Sequence, residues 1–152
     1  MRAAAVAFVF LVSTGIAAAS GGLHYSTDDK AVAFELEGGV TRGMGSPLFS
    51  FRGELDIKDH AVADDLRKTS LGREHVAQYW LGGEDLKLLL YREREGDKAH
   101  GYVELLIETA ARGEADEGLY EGRYALSVFD TQGDAGEGMT FDVAGDVVCS
   151  AE

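Results

Sequence analysis

Side chains with the chemistry for catalysis or metal binding are scattered along this chain rather than grouped in motifs. The four histidines, His24, His60, His75 and His100, show neither the H-x-x-x-H nor the H-x-H spacing that brings two imidazoles to one metal ion. No serine lies in a G-x-S-x-G turn, the sequence around many hydrolase nucleophiles. The stretch "GGVTRGMG" lacks the glycine spacings of phosphate-binding loops. The sequence therefore predicts no catalytic residue and no organic cofactor.

Acidic residues are the chemically active side chains that the sequence holds in excess. Asp and Glu number 27 against 14 Lys and Arg, which gives a formal net charge of −13. Such a surface repels phosphate backbones, so we expect no nucleic-acid partner. The glycine-rich loop "DTQGDAGEG" carries Asp130, Asp134 and Glu137, whose oxygen ligands suit Ca²⁺. Their spacing departs from the EF-hand pattern, so a solvated hairpin loop is the preferred interpretation and a Ca²⁺ site is the alternative.

Neighbouring carboxylates leave one enzymatic hypothesis open. Asp64 and Asp65 are adjacent, and Glu114, Asp116 and Glu117 lie close together in the chain. Many glycoside hydrolases work with two carboxyl groups on either side of the scissile bond, so a hydrolase of an extracytoplasmic polymer is an alternative function. In a chain this acidic, however, carboxylates become neighbours without any catalytic purpose. The pattern alone therefore does not favour an enzyme.

The first 19 residues have the three parts of a secretory signal peptide. Arg2 supplies the positive charge, residues 3–12 are uncharged and apolar, and Ala17 and Ala19 form an A-x-A cleavage site. The apolar stretch is shorter than the roughly 20 residues that span a bilayer, and no later stretch is long enough. We expect cleavage after Ala19, export to the periplasm or the extracellular medium, and no membrane span in the single domain formed by residues 20–152.

Apolar and polar residues alternate with a period of two through most of the remaining chain, which is the pattern of half-buried strands. In "KAVAFELEGG", for example, Val32, Phe34 and Leu36 share one face. Only the stretch 61–70, "AVADDLRKTS", favours a short helical turn. Because no long helices separate the strands, the sequence predicts an all-β antiparallel fold of about seven to nine strands. Its architecture is either a β-sandwich or a small up-and-down barrel, and we favour the sandwich.

Simple alternation fails in "LKLLLYRE" and "GYVELLIE", where both faces of the predicted strands carry apolar side chains. The second apolar face needs cover, because large exposed apolar patches are uncommon on monomeric proteins. The preferred explanation is cover by the segment 59–72 or by a further packing layer. The functional alternative is a surface for a protein partner, a second copy of the chain or an apolar small molecule. Six residues define this predicted patch: Tyr79, Trp80, Leu89, Tyr91, Tyr102 and Leu106.

The single cysteine, Cys149, lies in the last predicted strand on the same face as Met139, Phe141, Val143 and Val147. That position predicts a buried thiol that packs as a small apolar side chain, with an intermolecular disulfide as the alternative. The sequence as a whole predicts an exported, non-catalytic binding module that uses an apolar sheet face to hold a protein or an apolar small molecule. A homo-oligomeric structural protein is a further alternative.

Overall fold

The structure is a computed structural model, and it describes residues 20–41, 48–82, 84–113, 118–132 and 138–152. The predicted signal peptide lies outside the described residues, and so do Glu114, Asp116, Glu117, Asp134 and Glu137. The described chain is almost entirely β-structure, which confirms the predicted fold class. Its elements are β1 (Ser20–Asp28), β2 (Val32–Thr41), β3 (Leu48–Ile57), α1 (Asp64–Arg67), β4 (Lys68–Gly72), a 3-10 helix (Arg73–His75), β5 (Val76–Gly82), β6 (Asp85–Glu93), β7 (Gly101–Ala111), β8 (Leu119–Asp130) and β9 (Met139–Ala151).

All nine strands belong to one sheet with the order β4-β3-β2-β1-β9-β8-β7-β6-β5, and the sheet is nearly closed into a barrel. Every neighbouring pair is antiparallel. Of the two architectures that the sequence allows, the chain therefore adopts the up-and-down barrel and not the sandwich that we favoured. Strands that pair are consecutive in the chain except for β1 and β9, the first and the last strands of the described sheet.

The two edge strands of the sheet, β4 and β5, are consecutive in the chain and run in the same direction. They are separated only by the short helix Arg73–His75. β4 pairs with β3, and β5 pairs with β6. Together they resemble one long strand that is broken in the middle, with its first part bonded to β3 and its second part bonded to β6. Next to the break, the backbone N–H of Leu48 donates to Tyr79 Oη at 3.5 Å and Arg73 Nε donates to the carbonyl of Leu48 at 3.3 Å. These contacts join the start of β3 to the 3-10 helix and to β5, across the gap between the two edges of the sheet.

The barrel interior is filled by the apolar face that the alternation predicts. Val32, Leu36 and Ile57 on one half of the sheet and Leu105, Ile107 on the other have at most 1% of their surface exposed. Burying such side chains is the main favourable contribution to folding, at about 25 cal/mol for each Å² of apolar surface. Cys149 is also buried in this core, as its register predicts.

Curvature comes from glycines and a bulge that interrupt the regular strands. An added Cβ on Gly122 would lie 1.9 Å from the backbone oxygen of Glu108, so only glycine permits β7 and β8 to approach this closely there. The β2–β3 register shifts between Glu37 and Gly39, opposite Ser50, whose φ of 49° lies in the left-handed region. Such features let a sheet bend strongly, as a nearly closed barrel requires.

α1 and the turn before it close one end of the barrel. Val62 and Leu66 are buried there and belong to the same apolar core. The predicted helical turn is confirmed at Asp64–Arg67, while the residues after it form β4. The segment 59–72 is therefore part of the barrel end and wall. It leaves the outer surface of β5–β8 uncovered at Trp80, whose surface is 62% exposed.

Candidate functional site

The outer surface of β5–β8 carries a group of apolar side chains that point away from the core. Leu89 on β6 pairs directly with Leu106 on β7, and Leu106 pairs with Ala125 on β8. Trp80 lies on the same outer side of β5, beside Lys87. Trp80 is 62% exposed and Leu106 is 37% exposed, which is unusual for large apolar side chains in the middle of a sheet.

Aromatic rings continue this group along the outer surface towards the ends of β6 and β8. The rings of Tyr91 and Tyr102 have centroids 5.4 Å apart, and those of Tyr102 and Phe129 are 5.7 Å apart. His100 lies 6.0 Å from both Tyr102 and Phe129. Rings at these spacings stabilise each other across strands and present a flat, rigid surface. We call Trp80, Leu89, Tyr91, Tyr102, Leu106 and Phe129 the outer aromatic face.

Five of the six residues of the predicted patch lie on the outer side of the sheet, and the sixth, Tyr79, lies on the inner side. Tyr79 pairs with Leu88 and packs against the core, with the Arg73 guanidinium 5.7 Å from its ring centroid. Neighbouring residues of a strand point to opposite faces, so Tyr79 cannot share a face with Trp80. The sequence pattern did not lead us to include Phe129 in the patch. Its position between the inward-facing Val128 and Asp130 of an alternating strand nevertheless indicates that its side chain points outward.

Charged groups border the outer aromatic face, and one of them, Glu104, lies within it, opposite Tyr91 and between Tyr102 and Leu106. Lys87 Nζ lies 3.2 Å from Glu108 Oε1, next to Trp80. The Tyr91 hydroxyl donates to Glu93 at 3.1 Å, and burial together with this hydrogen bond raises the pKa of Tyr91. An apolar centre with a polar border is the usual composition of a protein-binding surface.

Asp130, one of the three predicted calcium ligands, is engaged in a buried ion pair. Its Oδ1 accepts from Arg94 Nη1 at 2.8 Å and from the backbone N–H of Gln132 at 2.9 Å, while its Oδ2 accepts from Arg94 Nη2 at 2.7 Å. These hydrogen bonds from Arg94 hold the pKa of Asp130 below its usual range. Within the described part of the chain, no three acidic, His or Cys side chains come close enough to hold a metal ion. With Asp134 and Glu137 outside that part, the Ca²⁺ site stays a prediction.

Of the neighbouring carboxylates in the sequence, Asp64 and Asp65 lie among the described residues, and both contact cations. Asp64 pairs with Arg67 in α1. Asp65 accepts from Arg94 at 3.0 Å and from Lys98 at 2.9 Å, and these contacts lower its pKa, with the Lys98 hydrogen bond the largest cause. A general acid needs a raised pKa, so Asp65 does not have the properties of one.

A second surface feature is an open depression of about 450 Å³ outside β1–β3, lined partly by glycines. One row of side chains across β9, β1 and β2 consists of Ser150, His24 and Glu37. These are the residue types of a Ser-His-Glu catalytic triad. No hydrogen bond joins these three side chains in the described structure, and Glu37 instead pairs with Arg52. The row therefore lacks the contacts by which a histidine activates a serine.

Comparisons with other proteins add nothing to this geometry, since no family model, no curated protein and no solved structure matches the chain. No helix among the described residues is both long and apolar enough to cross a membrane.

Proposed function

We propose that the protein is an exported, non-catalytic binding module that holds a partner protein on its outer aromatic face. The observation that carries this proposal is the exposure of Trp80, 62%, on the same outer side of the sheet as Leu89 and the partly exposed Leu106. Tryptophan and tyrosine dominate the energetics of protein interfaces because they bury a large area and lose little rotamer freedom. Trp80, the sole tryptophan of the chain, is therefore the side chain best suited to anchor a partner on this surface.

A protein partner fits this surface better than an apolar small molecule. Small-molecule sites are concave and enclose most of the ligand. The outer aromatic face lies on a sheet surface, and the barrel interior behind it is filled by core side chains such as Leu88, Leu105 and Ile107. The charged residues around the face, including Lys87 and Glu108, match the polar border of a protein interface.

The proposal is tested with two matched double variants of the purified protein. Trp80→Ser with Leu106→Ser removes the exposed apolar centre of the face. Leu119→Ser with Val148→Ser removes two side chains, 52% and 53% exposed, that lie outside the face. Each form is used to capture proteins from the extracytoplasmic fraction of the source cells, and the captured protein is then purified and titrated by calorimetry.

We expect a protein that binds the wild type and the Leu119/Val148 variant alike and binds the Trp80/Leu106 variant roughly thirtyfold more weakly, the loss typical of one interface hot spot. Circular dichroism verifies that both variants are folded. Equal capture by all three forms refutes the proposal. A homodimer that only the Trp80/Leu106 variant loses refutes it as well, because the face then serves a second copy of the chain.

A further inference from the structure

Strand β9 has β8 on one side and β1 on the other, and it extends well beyond the end of β1. β8 pairs with β9 along its length from Met139 to Ser150, whereas β1 pairs only with the residues from Val148 to Ala151. The Thr27 hydroxyl donates to the carbonyl of Asp146 at 2.8 Å, just past the end of that pairing. Among the described residues, no strand pairs with residues 139–145 on the side away from β8.

The hydrogen bonds at the other end of β9 show which backbone groups face this unpaired side. Glu152 N–H donates towards β1, to Gly22, and Ala151 N–H donates towards β8, to Gly118. Backbone groups of successive residues in a strand point to opposite sides, so the even-numbered residues face away from β8. The N–H and C=O groups of Thr140, Asp142 and Ala144 thus face no strand in the part of the chain that the structure describes, and we call residues 140–144 the open edge.

The side chains along the open edge suit an added strand. Phe141 and Val143 point to the inner face, where they pack against the core and stay partly exposed. Thr140, Asp142 and Ala144 point outward and are exposed. Natural edge strands are usually protected by charged side chains, above all lysine, by proline or by a bulge, and of these the open edge carries only Asp142.

Charge distinguishes between the strands that could bind there. Asp142 lies on the outer face of this edge, Asp146 follows it on the same face of β9, and the chain as a whole has a net charge of −13. A second copy of β9 would bring like charges together across the pair, which destabilises a sheet. An extended peptide with basic outward side chains is attracted to the same edge instead.

We propose that the open edge binds an extended peptide segment that adds one strand to the sheet beside β9. The peptide's backbone bonds to Thr140, Asp142 and Ala144, its inward apolar side chains cover Phe141 and Val143, and its outward Lys or Arg side chains lie near Asp142. Recognition by strand addition uses main-chain hydrogen bonds for affinity and alternate side chains for specificity. The open edge adjoins the outer aromatic face where Thr140 pairs with Phe129, but this proposal uses the backbone of β9 and does not depend on the proposed function.

The test uses a synthetic peptide of about nine residues in which Val and Lys alternate, a length typical of a strand. A peptide of alternating Val and Glu is the control for charge. Binding to the full protein is followed by NMR, which reports on the backbone amides one by one. Ala144→Pro removes a single edge-directed N–H and keeps the charge, whereas Asp142→Lys keeps the backbone and reverses the charge. Glu121→Lys makes the same charge change on exposed surface of β8.

We expect saturable binding of the Val/Lys peptide, with shifts centred on the amides of Thr140, Asp142 and Ala144. Asp142→Lys weakens binding about tenfold or more, Ala144→Pro removes it, and Glu121→Lys leaves it nearly unchanged. The proposal is overturned if the amides of β4 or β5 shift instead, or if Asp142→Lys and Glu121→Lys weaken binding equally. It is also overturned if the wild type forms a dimer that Ala144→Pro dissociates, because a second copy then occupies the edge.

Discussion

Replacing Arg94 with methionine removes the cation that holds three parts of one barrel end together. Arg94 follows β6, and its side chain is only 2% exposed. It donates to Asp130 at the end of β8, to Asp65 in α1, and to the carbonyl of Ala99 in the loop before β7. Methionine keeps most of the apolar length of the side chain, so the variant tests the charge and the hydrogen bonds rather than the packing.

The expected cost follows from the burial of the partner carboxylate. The Asp130 side chain is 6% exposed, so without Arg94 its charge stays buried and unpaired. Breaking such a pair from one side costs about 3–5 kcal/mol, a large part of the 5–15 kcal/mol that typically stabilises a domain. The melting temperature is expected to fall by roughly 10 °C. Arg123→Met is the matched control, because the Arg123–Asp146 pair is exposed and contributes about 1 kcal/mol or less.

The pH dependence separates this explanation from a simple loss of packing. Arg94 lowers the pKa of Asp130 in the folded protein, so the pair adds stability above the ordinary aspartate pKa of about 3.9 and loses it as the pH falls towards the folded pKa. In the variant, the buried Asp130 without a cation is easier to protonate than in the unfolded chain. The stability difference between wild type and variant must therefore shrink on acidification.

The assay is urea unfolding followed by circular dichroism, at neutral pH and at about pH 3. The second variant Arg94→Met with Asp130→Leu removes both charges and is expected to regain most of the lost stability, since apolar replacement of a buried pair is often neutral. A loss below about 1 kcal/mol at neutral pH refutes the reasoning. A difference that is equal at both pH values also refutes it.

Three further predictions concern the barrel interior. Gly145→Ala puts a Cβ 2.6 Å from both Asp29 Oδ2 and Tyr124 Cε1, so thermal unfolding should show a loss of stability of about 1–3 kcal/mol. Gly22→Ala is the control: no atom lies within 4 Å of the new Cβ, so stability changes by about 1 kcal/mol at most. Tyr25→Phe removes a buried hydroxyl whose polar neighbour among the described residues is the Cys149 thiol, a weak hydrogen-bond partner, so urea unfolding should show a gain of up to about 1 kcal/mol. A loss of about 1 kcal/mol or more would mean that the hydroxyl is satisfied. Burial raises the pKa of the Cys149 thiol to about 12, so an alkylating reagent should label it in urea but not in the native protein, and a reductant-sensitive dimer on a gel would contradict its burial.

The local alternation of the sequence was enough to determine the strands and the side chains that line the core. Val32, Phe34 and Leu36 share the inner face of β2 as their period of two predicts, and the odd-numbered positions of β9 place Cys149 inside. The short helix also follows from local composition at Asp64–Arg67. These features depend on residues close together in the chain, so a pattern of a few residues is sufficient to specify them.

Closure, the outer aromatic face and the open edge were decided only by the tertiary structure. The sheet closes through the break between β4 and β5 and through the bulge opposite Ser50, and neither has a reliable local signal. Tyr102 meets Phe129, and Arg94 meets Asp130, only because a particular register aligns distant strands. The open edge exists because β9 and β1 overlap over only a few residues. Register and overlap are properties of pairs of strands far apart in the sequence, and the alternation within a single strand carries no information about them.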